Sequence, residues 1–198
     1  MISAGDGVIL PTLLGKKMQV AFVVRHLEEA LHFWTATMKV GPFVVIEESL
    51  GDRLFVHRGV QSPVEMSIAY SYLGDVQIEV IAQRNAAPSP YREFLDSGRE
   101  GLHHIAFWPD EFEGACQNLE EKGFREVSSV RAADGAKNLI YYDGPFHLGV
   151  MVEVLPMTPL REKYYGGMKR LAETWDGSRP IRTYCTRSDY MSSEDYKV

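Results

Sequence analysis

Residues 102–119 read LHHIAFWPDEFEGACQNL, and residues 18–34 read MQVAFVVRHLEEALHFW. Each begins with a short apolar run of strand character. Each continues into a segment with apolar residues at helical spacing, Leu27, Ala30, Leu31 and Trp34 in the earlier one. Slid by 85 positions, residues 19–34 lie over 104–119, so that Ala21 meets Ala106, Phe22 meets Phe107, Glu28 meets Glu113 and Ala30 meets Ala115. Val20 with Ile105, and Leu27 with Phe112, keep the same apolar slots. Self-similar windows at a fixed offset read as one supersecondary unit used twice.

The surrounding chain repeats in the same order. After the helix predicted over 26–38, Gly41-Pro42 stops it and Phe43 to Ile46 read as a strand. Residues 53–58, 64–72 and 75–82 are three more extended segments, the last two joined by a Gly74-Asp75 hairpin turn. Residues 88–98, with Pro88 and Pro90, form a connector with a short helix. A strand at 102–108 follows, then a helix at 110–122 closed by Lys122-Gly123, then strands at 124–131, 137–142 and 148–155. A further amphipathic helix spans 159–175, with Leu160, Tyr164, Met168, Leu171 and Trp175 on one face. The polar tail from Ser178 is expected to lie over the surface or fray. The organisation read from this is a first module at 17–83, a connector at 84–101, a second module at 102–157 and a C-terminal helix and tail at 158–198.

The 198 residues are 45% hydrophobic and 24% charged, a globular composition. The net charge of −6 argues against a nucleic-acid binder, which needs a basic face, but leaves room for a local basic pocket that takes an acidic small molecule. No apolar run approaches the ~20 residues that cross a bilayer, so no membrane partner is expected. Cys116 and Cys185 cannot build the disulfide framework of a small secreted protein, and a cytoplasmic location is expected.

Strand alternation sorts the polar residues by face. Gln19, Ala21 and Val23 share one face, and His104, Ala106 and Trp108 share the matching one, which sends His103 to the other side. Glu79 sits between Ile78 and Val80, and Glu153 between Val152 and Val154. A carboxylate in the middle of an apolar strand is costly to bury unless it is paired, protonated or bound to a metal. Gln19 occupies the slot of His104, and each glutamate lies in the last strand of its half. Around a pseudo-two-fold axis the four would converge. One imidazole, two carboxylates and an amide oxygen suit a single divalent ion such as Zn, Ni, Co, Mn or Mg, and the set lacks the thiolates of a structural zinc site. Glu65 is read either as a general base or supporting carboxylate, or as a solvated strand residue. His57 and His147 are read as structural.

The chain resembles the vicinal oxygen chelate superfamily, which contains glyoxalase I, methylmalonyl-CoA epimerase, extradiol dioxygenases and bleomycin-resistance proteins. The resemblance covers roughly residues 17–157 and is carried by GREGLHHIAF at 98–107, VQIEVI at 76–81, GVMVEVLPM at 149–157 and the opening MQVAFVVRHLEEALHFW. It implies an α+β fold of two βαβββ modules forming a half-open, eight-stranded barrel around a metal. It places Gln19, Glu79, His104 and Glu153 on ligand positions. Many members have His where this chain has Gln19, which weakens the iron-dependent extradiol reading, since that chemistry uses two His and one Glu. The activity implied is proton transfer next to a carbonyl through a metal-stabilised enolate, as an epimerase, isomerase or lyase on a small acyl or keto-acid substrate. Glu153 or Glu79, or the non-ligand Glu65, would move the proton. The alternatives are a ligand-sequestering protein without catalytic metal and a ring-cleaving dioxygenase. A homodimer is expected because open barrel edges and the apolar face of the 159–175 helix call for a partner.

Overall fold

Each module begins with a strand and packs one helix against the outside of its own four strands. In the first, β1 (Met18–Val23) leads into α1 (Leu27–His32), a π-helical turn at Phe33–Thr37, and the strands β2 (Phe43–Ile46), β5 (Met66–Leu73) and β6 (Val76–Gln83). In the second, β7 (Gly101–Phe107) leads into α3 (Phe112–Glu121), β8 (Arg125–Arg131), β9 (Lys137–Asp143) and β10 (Met151–Val154). The computed structural model describes residues 14–15, 18–144 and 148–197. Residue 17, the predicted start of the first module, and His147 lie outside them.

The modules join through β1 and β7, which pair antiparallel, while β1 pairs parallel with β6 and β7 parallel with β10. The order β2-β5-β6-β1 is mirrored by β8-β9-β10-β7, as a duplicated unit requires. The period of two then divides the core. Ile78 and Val80 of β6 face outward onto Leu31 of α1, and Val152 and Val154 of β10 face outward onto Ala115 and Leu119 of α3. The opposite faces look into the shared interior, where Val23, Ile81, Ala106, Tyr141 and Leu155 form the central core.

The sheet holds eleven strands, not only the eight of the two modules, and it is open, with β11 (Ile181–Tyr184) at one end and β4 (Val60–Ser62) at the other. The segment 53–58 is extended as predicted, but β3 (Leu54–His57) leaves its own module. It pairs with β8 of the second and forms a hairpin with β4. The physical reason is burial: Phe55 packs on Tyr91, and His57 meets Ser128 Oγ at 2.8 Å and Glu93 Oε1 at 3.1 Å. His57 is therefore structural. Gln83 and Ser89 hold the connector helix α2 (Pro90–Asp96), whose N-cap Ser89 accepts from Arg92 N–H.

The tail departs from the expected surface polar segment. β11 adds to β2 in parallel register, and α5 (Arg187–Ser192) and α6 (Glu194–Lys197) follow it. Asp195 is the clamp, accepting from Arg179, Arg182 and the Tyr184 hydroxyl. The helix predicted at 159–175 is present as α4 (Pro159–Glu173), but it offers no spare apolar face. Tyr164, Tyr165, Met168 and Leu171 are buried within the chain, against the inner face of β5 and the tail.

Candidate metal centre

The pairing registers lay the polar slots out on two adjacent cross-strand rows. One row runs Glu79, Ala21, His104, and the next runs Gln77, Gln19, Ala106, Glu153. Paired residues point to one side of a sheet, so all of these face the interior. The alanines leave space between the longer side chains. Glu79, His104 and Glu153 meet in that space, with ligand atoms within 4.8 Å of one another and all three residues buried. They come from three strands in two modules, as the duplication led one to expect.

His104 Nε2 lies 3.0 Å from Glu153 Oε2 and 3.4 Å from Glu79 Oε2. Neither Nε2 nor Glu79 Oε2 is directed for a hydrogen bond, although both are fully buried. Acceptors that are close but mutually misdirected face a common point between them. An imidazole and two carboxylates around such a point fit a divalent cation of hard to borderline character, and two carboxylates balance its charge. Burial opposes the charged form of His104, but Glu153 and Glu79 outweigh it and raise the pKa to about 9. Burial, helped by Glu153, pushes the Glu79 carboxyl up, while His104 and Tyr70 oppose the shift.

Sequence alternation misplaced His103. The β1–β7 register shifts between Ala21 and Phe22, so His103 is the extra residue of a β-bulge and turns toward its neighbour. Its Nδ1 lies 2.9 Å from His104 Nδ1, and its Nε2 lies 3.3 Å from the Pro90 carbonyl. Because a carbonyl only accepts, His103 Nε2 donates, its Nδ1 accepts, and His104 Nδ1 carries the proton. That relay leaves His104 Nε2 facing the carboxylates, where it carries a proton in the metal-free protein and would offer its lone pair to an ion. Burial, and then the charge of His104, depress the His103 pKa to about 3, which keeps its ring neutral. His103 is thus a positioning residue, one that a sequence register cannot reveal because the bulge is a tertiary feature.

Gln19 is buried on the neighbouring row. Its Nε2 donates to Gln77 Oε1 at 2.6 Å, and Gln77 Nε2 donates to the Tyr72 hydroxyl at 2.7 Å. This chain fixes the amide and leaves Gln19 Oε1 buried without a hydrogen bond. Glu65, by contrast, is exposed just before β5 and does not line the cavity at the site, so the structure removes the geometric basis for its role as a base. A cavity of about 310 Å³ opens over Glu79 and Glu153. Tyr70 lines it. So do Tyr91 and Tyr141, whose hydroxyls lie 2.7 Å apart, and three arginines that sequence analysis did not single out. Burial raises the pKa of both Tyr91 and Tyr141, so both stay protonated and one hydroxyl proton of the pair is free to donate.

The sequence model described as Glyoxalase/Bleomycin resistance protein/Dioxygenase superfamily matches residues 18–142. No curated protein matches the chain. Several solved structures share the fold. Methylmalonyl-CoA epimerase from Mycobacterium tuberculosis is 18% identical, with a TM-score of 0.52 over 77% of this chain and 95% of its own. The Streptomyces coelicolor methylmalonyl-CoA epimerase in complex with 2-nitronate-propionyl-CoA is 18% identical, with a TM-score of 0.52 over 74% and 96%. A hypothetical protein from Bacillus halodurans C-125 is 21% identical, with a TM-score of 0.51 over 72% and 94%. Among the described residues no helix is long and apolar enough to cross a membrane.

Proposed function

Since this chain belongs to the glyoxalase/bleomycin resistance protein/dioxygenase superfamily, we propose that it is a divalent-metal-dependent isomerase, epimerase or lyase that moves a proton on carbon next to a carbonyl. The observation that carries this reading is the buried trio Glu79, His104 and Glu153, whose two carboxylates line a cavity. These three would hold the ion, with Gln19 as the weakest, neutral ligand. When bound, the metal supplies Lewis-acid polarisation of a carbonyl oxygen.

The chain's own groups supply the rest. Glu79 and Glu153 arise on β6 and β10, with β1 and β7 between them, and so reach the centre from opposite sides. Carboxylates on two sides suit removal of a proton from one face of a carbon and return to the other. The Tyr91–Tyr141 hydroxyl pair can donate to an oxygen that gains negative charge as the proton leaves. The enclosing tyrosines limit water around the reacting carbon. A homodimer remains part of this proposal, on the sheet edges alone, since α4 spends its apolar face internally.

The test is proton exchange in D₂O under strict exclusion of oxygen, followed by proton NMR over a panel of 2-oxo acids, acyl thioesters and hemithioacetals. Metal-dependent loss of the signal from the carbon next to the carbonyl is expected, and Glu79→Gln or Glu153→Gln should abolish it. Oxygen consumption with iron alone would replace this reading by a dioxygenase. Tight binding without exchange or oxygen use would replace it by sequestration.

A further inference from the structure

The cavity over the metal centre holds three arginines, Arg53, Arg161 and Arg187, beside Glu79, Glu153 and Tyr164. Arginines elsewhere in the fold meet carboxylates, as Arg58 does with Glu93 and Arg182 with Asp195. Among the described residues none of the three cavity arginines has such an ion pair. Arg53 is held by backbone carbonyls instead, its Nε to Leu50 at 2.9 Å and its Nη2 to Ser49 at 2.5 Å. Arg161 is held the same way by the carbonyls of Pro156 and Asn138. Arg187 lies over the Tyr164 ring, its guanidinium carbon 5.7 Å from the centroid. Burial, and then the charge of Arg187, lower the Arg53 pKa to about 10. Tyr164 lines the same cavity, and its hydroxyl is fully buried without a hydrogen-bond partner.

The charge balance has one direct consequence. A bound divalent ion would balance Glu79 and Glu153, and the cavity lining has no other carboxylate to face the guanidiniums. We propose that Arg53, Arg161 and Arg187, with the Tyr164 hydroxyl, form a subsite for a second anionic group of the substrate, a carboxylate at the far end of a small 2-oxo acid whose other end meets the metal centre. This rests on the metal-enzyme reading and narrows its substrate class. Guanidinium groups match a carboxylate's paired oxygens, and backbone anchors hold two of them in place before the ligand arrives. Two of the three come from residues beyond the second module, on α4 and α5, so the C-terminal segment is what makes the cavity acid-selective. At about 310 Å³ the cavity is at the small end for ligand sites, which suits an acid of a few carbons.

Calorimetric titration of the full chain tests this with 2-oxoglutarate and 2-oxoadipate, each beside its terminal amide. The amide keeps the chelating 2-oxo acid and removes only the distal charge. Both Mn²⁺-loaded and EDTA-treated protein are titrated, with methylmalonyl-CoA as a competitor. The better diacid is expected to bind about tenfold tighter than its amide. That preference should weaken with added salt and shrink to about twofold or less in Arg187→Met, with Arg161→Met as the second variant if the first does not fold. The preference should persist in weaker form after EDTA treatment, because the guanidiniums remain while Glu79 and Glu153 lose their counter-ion. Equal affinities of Mn²⁺-loaded and EDTA-treated protein for every ligand, with the diacid preference intact, would break the metal reading and leave the subsite standing. Equal affinity for diacid and amide, no binding of either pair in the millimolar range, a preference untouched by both folded variants, or tighter binding of methylmalonyl-CoA than of every diacid would overturn the subsite.

Discussion

The two modules share a backbone plan and fill it differently at the same place. In the first, Gln19 is backed by Gln77 and Tyr72, a chain of neutral groups that ends in one buried carbonyl oxygen without a partner. In the second, His104 is backed by His103 and the Pro90 carbonyl, a chain that ends in an imidazole nitrogen beside two carboxylates. Both corners present an acceptor to the interior. Under the proposed metal reading only the second would hold a divalent ion strongly, because a neutral amide oxygen is a poorer donor than imidazole and because two carboxylates stand beside His104. Duplication therefore sets where a ligand can stand. The hydrogen bonds behind each slot set how much it contributes.

Removing the strong corner gives the largest effect. His104→Ala leaves two buried carboxylates facing each other. We expect metal affinity to fall by at least about a hundredfold, read by competitive titration against a chromophoric chelator, with exchange activity lost alongside. Unchanged affinity would mean that the comparison assigns the wrong corner. His103→Phe comes next. It keeps the edge-on packing against Phe94 and Tyr91 but removes the acceptor for His104 Nδ1–H. The expected loss in affinity is about ten- to a hundredfold, with a change in the ¹⁵N tautomer signature of His104 that a packing role alone would not produce.

Gln19→Ala tests the weak corner. Its expected effect on metal affinity is below about tenfold, with the fold retained, whereas a loss equal to that of His104→Ala would erase the asymmetry. The smallest effect is on stability. His104 has its pKa raised from 6.5 to about 9, so in metal-stripped protein its stabilisation is complete below about pH 6.5 and is lost as pH rises through about 9. Glu79, also raised, acts in the same direction. Melting temperature should drop by a few degrees across that window in stripped protein, and the drop should vanish on reloading with a divalent ion, which replaces the proton on Nε2.

Much of the centre was legible without coordinates. A glutamate isolated in VQIEVI and another in MVEV stand out because period two gives a strand one face per residue class, and Gln19 and His104 share a slot because their windows superimpose. Those signals are local, and local periodicity survives in any sequence that folds this way. The alternation argument failed at His103 because a bulge changes the face without changing a residue, and it had no power over Glu65, where face and burial depend on where the strand begins.

The sequence by itself determined the repeat, the strand–helix order of each module and the three strands that carry Glu79, His104 and Glu153, because the spacing of apolar residues dictates which side of each element is buried. Only the tertiary structure decided that β3 crosses to the second module, that the polar tail becomes a strand clamped by Asp195, and that Arg53, Arg161 and Arg187 meet over the metal centre. Those three residues are separated by 108 and 26 positions and sit on a loop and two helices, with no shared period to align them. Their convergence follows from long-range packing of α4 and the tail over the open side of the sheet, a choice made by the burial of Tyr164, Tyr165, Met168 and Tyr190 together rather than by any one segment.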